Sequence, residues 1–151
     1  MNKIKIYIAA GWFSEYQDKA LTYLEDLLFN NDKFEVFSPR KEIILNKDAT
    51  VEEQNKVFDQ NCQKIIEADL VIASTVDKDM GTIWETGFAY NKTPVVYTLF
   101  DDRIQNPSFN IMLGASGLAT FIDKTEFEKY IDNLTKDNLL SSVQRWRGDC
   151  E

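Results

Sequence analysis

The sequence predicts an α/β protein built on a doubly wound sheet of five parallel strands in the order 2-1-3-4-5. Three observations carry that prediction. Five short apolar runs alternate with segments of helical periodicity, the pattern of right-handed β-α-β crossovers. The run Leu70 to Ala73 is too short and too apolar for an exposed strand, which makes it a central parallel one. Ser14 with Gln17, Thr50 with Glu53 and Thr125 with Glu128 each have the capping-box spacing that opens a helix.

Taken in order, Lys3 to Ala9 alternates lysine with Ile4, Ile6 and Ile8 and reads as strand one, with Tyr7 near its exit. Ala10 to Phe13 is a turn carrying two large aromatics. A helix follows from the Ser14 cap to about Phe29, with Leu21, Leu24, Leu27 and Leu28 as its buried stripe. Asn30-Asn31-Asp32 ends that helix, and Phe34 to Phe37 is strand two. Ser38-Pro39-Arg40 ends the strand because proline cannot continue the ladder, and residues 41 to 49 form a loop. The helix opened by Thr50 runs to about Ala68 and turns Val57, Phe58, Cys62, Ile65 and Ile66 inward. After strand three comes Asp77 to Tyr90, read as acidic turn then helix. Pro94 to Leu99 is strand four, Asp101 to Ser108 a polar loop, Phe109 to Ser116 a short helix or turn, and Leu118 to Ile122 strand five. Thr125 caps the last helix.

At 151 residues the chain is long enough for one domain with a real core. A net charge of -8, with 17 basic residues that form no run, repels phosphate backbones and anionic membranes, so neither nucleic acid nor membrane is an expected partner. There is no histidine. Ser-His and Cys-His couples and histidine-ligated metal sites are therefore excluded, and acid-base work falls to carboxylates. The two cysteines, Cys62 and Cys150, lack the spacing of a zinc site or a disulfide framework and read as reduced thiols. With no cleavable signal and no apolar run near 18 residues, the expected location is cytoplasmic.

In such a sheet the turns after strands one, three and four open at one edge, so Tyr7, Gly11, Trp12, Phe13, Asp79 and Glu85 converge there. Glu85, placed in the first turn of its helix, is expected to stay ionised, the state suited to attack on an electron-poor carbon. Asp79, in the turn before it, is expected to have its proton affinity raised by that neighbouring charge, as a proton donor to a leaving nitrogen requires. Plainer readings fit the same residues. Thr82 and Glu85 also have capping-box spacing, Gly81 and Gly87 suit a tight turn and close packing, and Trp12, Phe13 and Tyr7 suit a core. Asp77 reads as turn chemistry.

Three segments resemble the nucleoside 2-deoxyribosyltransferase family: Ile6-Tyr7-Ile8-Ala9-Ala10-Gly11-Trp12-Phe13, Asp79-Met80-Gly81-Thr82-Ile83-Trp84-Glu85-Thr86-Gly87-Phe88-Ala89, and Asn110-Ile111-Met112. The resemblance implies a flavodoxin-like fold and a double displacement at the anomeric carbon of a 2-deoxyribonucleoside, without metal or organic cofactor. Glu85 matches the nucleophile, Asp79 the aspartate that binds the base and moves its proton, and Tyr7 the tyrosine that orients the nucleophile. Gly11, Trp12, Phe13 and Gly81 match the substrate pocket. Asn110 and Met112 match a segment lent to a neighbouring subunit's site, which implies a dimer-based homo-oligomer, a hexamer being one such assembly. The substrates implied are a 2-deoxyribonucleoside and a free nucleobase. One position departs from the pattern: Asn61 stands where family members often carry an aspartate. An amide there hydrogen-bonds a base but does not exchange protons at neutral pH, and Asn61 is expected to face the pocket. Arg40 is a further base-side candidate.

Two alternatives stay open. A nucleoside or nucleotide N-glycoside hydrolase on the same scaffold would admit water in place of the second base, although Gly11-Trp12-Phe13 followed by Glu15 is no phosphate cradle. A non-catalytic nucleoside-binding module would need Glu85 only as a helix cap.

Overall fold

The structure is a computed structural model, and it describes residues 2–43 and 45–151. Five parallel strands make one sheet in the order β2-β1-β3-β4-β5. They are β1 (Ile4–Ala9), β2 (Phe34–Phe37), β3 (Leu70–Ser74), β4 (Val95–Thr98) and β5 (Ala119–Phe121). The helices are α1 (Glu15–Phe29), α2 (Pro39–Glu42), α3 (Val51–Glu67), α4 (Met80–Ala89), α5 (Ile111–Ser116) and α6 (Lys124–Asn133). The predicted strand order is the observed one, and Leu70–Ser74 is buried along its whole length as a central parallel strand must be.

Alternation along β1 divides the core. Ile4, Ile6 and Ile8 face α1 and α6, packing with Leu21, Leu24 and Phe127. Tyr7 and Ala9 face the other side, with Ile65 of α3 and Ala89 of α4. This two-sided arrangement follows from strand period two, and it decides the site. Tyr7 is aimed beneath α4 because its neighbours in β1 are committed to the opposite face.

Helix starts differ from expectation in two places. Ser14 and Thr50 each make both bonds of a capping box. The last helix is instead capped by Asp123, whose side chain accepts from Glu126 N, so Thr125 lies inside α6. Asp79, not Thr82, caps α4, which begins at Met80. Pro39 ends β2 and also opens the one-turn α2, where its missing N–H costs nothing. Part of the expected 41–49 loop is therefore helical, and Ile44 lies outside the described residues.

The inward stripe expected of α3 is only partly formed. Ile65 is its one buried residue, while Phe58 and Ile66 are exposed. The helix packs over β1 and beside α4, and its remaining faces border the cleft and solvent. Arg40 turns away from the base side and pairs with Asp18 and Glu25 of α1, with Thr22 Oγ1 at 3.0 Å. Glu25 is buried, and its carboxylate also accepts from Ser38 Oγ at 2.7 Å. The buried carboxylate of Glu25, with Asp18 beside it, outcompetes an exposed cleft for the guanidinium.

Candidate active site

A cleft of about 600 Å³ opens at the carboxyl edge of the sheet, between the turn after β1 and the helices α3 and α4. This is where an open parallel sheet reverses its winding and leaves a crevice. Trp12 and Phe13 form one wall, their rings stacked 5.6 Å apart and their faces partly open to solvent. Phe58 and Trp84 form the other, 5.2 Å apart, and Trp84 stacks in turn on Phe88. Between these walls lie the carboxylates of Asp79 and Glu85.

Glu85 occupies the second turn of α4, because the helix starts earlier than Thr82. It takes no part in a cap. Tyr7, fully buried under it, donates its hydroxyl to Glu85 Oε2. The expectation that the helix start keeps Glu85 anionic is overturned. Burial pushes its carboxyl up to about 7, the Asp79 charge adds to that, and the Tyr7 hydroxyl opposes it. Burial and the same carboxylate push the Tyr7 phenol far above its ordinary value, so Tyr7 remains a donor.

Asp79 has two tasks. Its Oδ2 accepts from Thr82 N at 2.9 Å and from Thr82 Oγ1 at 2.8 Å, which closes the first turn of α4. Gly11 makes room for the rest of the group: a Cβ there would stand 2.8 Å from Asp79 Cγ and 2.9 Å from Oδ1. Glycine at this position is thus required by contact with the carboxylate, not by backbone angle. Gly81 also borders the cleft. Gly87 has open space around it, so close packing within this chain does not explain it.

Asn61 lines the cleft from α3, and its Oδ1 is buried without a hydrogen-bond partner among the described residues. Asn110 and Met112 are elsewhere. Asn110 caps α5, accepting from Met112 N at 2.9 Å, and Met112 is 74% exposed. Sequence reasoning brought Tyr7, the Gly11 to Phe13 turn, Asp79 and Glu85 together, and missed Phe58 and Trp84 as a wall. Two large aromatics on helices that have no outer layer were the available signal.

Fold and site together define a class: a flavodoxin-like α/β enzyme whose ligand cleft is armed with two carboxylates and a buried tyrosine. A family model for nucleoside 2-deoxyribosyltransferases matches residues 6–134, and the chain belongs to that family. Among solved structures it is similar to the 2-deoxyribosyltransferase of the psychrotolerant bacterium Bacillus psychrosaccharolyticus, at 27% identity and a TM-score of 0.74 over 95% of this chain and 99% of that one. It shares its fold with the Leishmania mexicana 2-deoxyribosyltransferase (19% identity, TM-score 0.60, 87% of this chain and 99% of that). The fold is also that of the Clostridium botulinum CMP N-glycosidase (18%, 0.54, 86% and 99%). No curated protein matches the sequence. No helix among the described residues is long and apolar enough to cross a membrane.

Proposed function

We propose that this enzyme transfers 2-deoxyribose between nucleobases by double displacement. One observation carries the reading: the Glu85 carboxylate is held by a buried tyrosine at the floor of an aromatic cleft, next to a second carboxylate. Tyr7 occupies Oε2, so Oε1 is the oxygen that attacks C1′ of the nucleoside. The N-glycosidic bond breaks as the Glu85 ester forms, and its electron pair leaves on the base nitrogen, which takes a proton from Asp79. A second base then enters, its nitrogen attacks C1′, its proton passes to Asp79, and the Glu85 ester bond breaks. Two inversions restore the β-anomer, as in retaining glycosidases.

The walls fit a nucleobase. Trp12 and Phe13 face Phe58 and Trp84 across the cleft, giving a planar ring aromatic surface on both sides. Asn61 supplies an amide that recognises the base edge without exchanging protons. None of the described residues lining the cleft is a lysine or arginine, while two are carboxylates. Nucleosides therefore fit better than their 5′-phosphates, which the acidic site would repel. Asn110 and Met112 complete the site of a neighbouring subunit, so the working unit is a homo-oligomer.

Incubation of the protein with 2′-deoxyinosine and adenine, followed by chromatography, tests this. Deoxyadenosine is the expected product. Hypoxanthine without deoxyadenosine would point instead to a hydrolase in which water replaces the second base, and unchanged substrates would refute both activities. Glu85→Ala should abolish turnover while the protein stays folded.

A further inference from the structure

The turn that delivers Asp79 is strained and tied from both sides. Asp77 and Lys78 both adopt left-handed backbone, with φ of 56° and 50°, although neither is glycine. Consecutive residues of this kind persist only where their surroundings hold them. Asp77 provides that hold. Its Oδ2 accepts from Ser14 Oγ at 2.5 Å, and its Oδ1 accepts from Arg103 Nη2 at 2.6 Å. Ser14 follows the Trp12-Phe13 wall directly, and Arg103 lies in the loop after β4. One carboxylate thus joins the loops that follow three different strands.

Each partner is itself fixed. Arg103 forks onto Asp101, with Nε 2.9 Å from Oδ1 and Nη2 2.6 Å from Oδ2, and the Asp101 side chain is almost wholly buried. Its guanidinium lies 3.6 Å over the ring of Tyr16. A second tie runs alongside: buried Gln17 accepts from Phe13 N at 2.9 Å and donates Nε2 to Val76 O at 3.2 Å. None of Ser14, Asp77, Arg103 or Asp101 lines the cleft. The network lies beside it, at the surface of the same loops.

We infer that Asp77 and Arg103 form a latch that positions Asp79, and that this latch, not the residues of the cleft alone, sets the rate of proton transfer to and from the base. Asp77 and Arg103 are positioning residues and touch no substrate. The inference rests on the transferase reading for its kinetic effect, and on geometry alone for its structural one.

The test uses Asp77→Ala and Arg103→Leu, which open the latch from opposite ends, with Lys19→Ala as control because its exposed pair with Asp102 lies nearby and contributes little. Two readouts are taken. Amide exchange at Thr82, whose N–H is bonded to Asp79, should quicken at least about 10-fold in both latch variants, while Ile72 in β3 exchanges as before. In the base-exchange assay kcat should fall by about 10- to 100-fold with KM nearly unchanged. Asp77→Asn, which keeps an acceptor for Arg103, should recover part of the loss; Arg103→Lys should not, since an ammonium can neither fork nor stack. Unchanged Thr82 exchange, or an unchanged kcat in folded Asp77→Ala and Arg103→Leu, overturns the latch. Should the native protein neither transfer nor hydrolyse, the transferase reading falls, and Thr82 exchange still decides whether the latch holds Asp79.

Discussion

As the proposed nucleophile, Glu85 has to satisfy opposing demands, since a nucleophile must be ionised and a carboxyl in a half-buried aromatic cleft resists ionisation. Its raised value of about 7 records that conflict. For the acid-base state the sign is direct: protonated Glu85 predominates below 7 and the attacking carboxylate above it. The kcat/KM for nucleoside cleavage should therefore rise with pH through about 7. Tyr7 works against burial by donating to the charged form. Tyr7→Phe should move the rising limb to higher pH and lower the maximal rate at least about 10-fold, since the carboxylate loses both its stabilising donor and its orientation. A limb that stays in place in Tyr7→Phe would mean that the hydroxyl does not touch the titrating group. Gly11 belongs to the same scale: it is small because Asp79 needs the space.

At the level of the element, α4 is started by the residue proposed to move protons, so capping and chemistry are separable only by substitution. Asparagine caps a helix about as well as aspartate but cannot give up a proton at neutral pH. Asp79→Asn should keep thermal stability within about a degree and still lose about 10²- to 10⁴-fold in transfer. Asp79→Ala should lose the same activity and also about 1 kcal/mol of stability, a few degrees in Tm, readable by calorimetry. Equal Tm values for the two variants would show that the cap is not holding α4. The same element shows what a sequence reveals. Ser14 and Thr50 were legible as caps because each box closes on itself within four residues. Thr82 and Thr125 have the same spacing, but the chain leaves extended backbone earlier, at Asp79 and Asp123, and the first residue able to bond the free amides takes the cap. Where a helix begins is thus settled by the last extended residue before it and the side chain that residue carries. Arg40 and the Phe58–Trp84 wall were hidden for another reason, since their partners are distant in sequence and their placement depends on which faces the fold leaves uncovered.

Across the whole molecule, convergence on one sheet edge was legible because strand order alone dictates it, and Tyr7, Asp79 and Glu85 meet there. The segment around Asn110 does not join them in this chain. Ile111 and Met112 are exposed on α5, Met80 is 87% exposed at the start of α4, and Gly87 on α4 meets no atoms that would need its lack of a side chain. Apolar side chains left uncovered on α4 and α5, with a glycine that permits close backbone approach, are what a second copy of the chain would bury. If Asn110 serves a neighbour, the defects in Glu85→Ala and in an Asn110 variant lie in different subunits of one site. Asn110→Asp is the variant to use, because it keeps an oxygen for the Met112 and Leu113 amides and so preserves α5. Each variant alone should be nearly inactive. Mixed and allowed to exchange subunits, the two should regain a measurable fraction of native transfer, since some sites then combine native Glu85 from one subunit with native Asn110 from another. Light scattering should show the same oligomer for both variants and for the mixture. A mixture no more active than its components, with subunit exchange verified by mass, would place Asn110 outside the shared site.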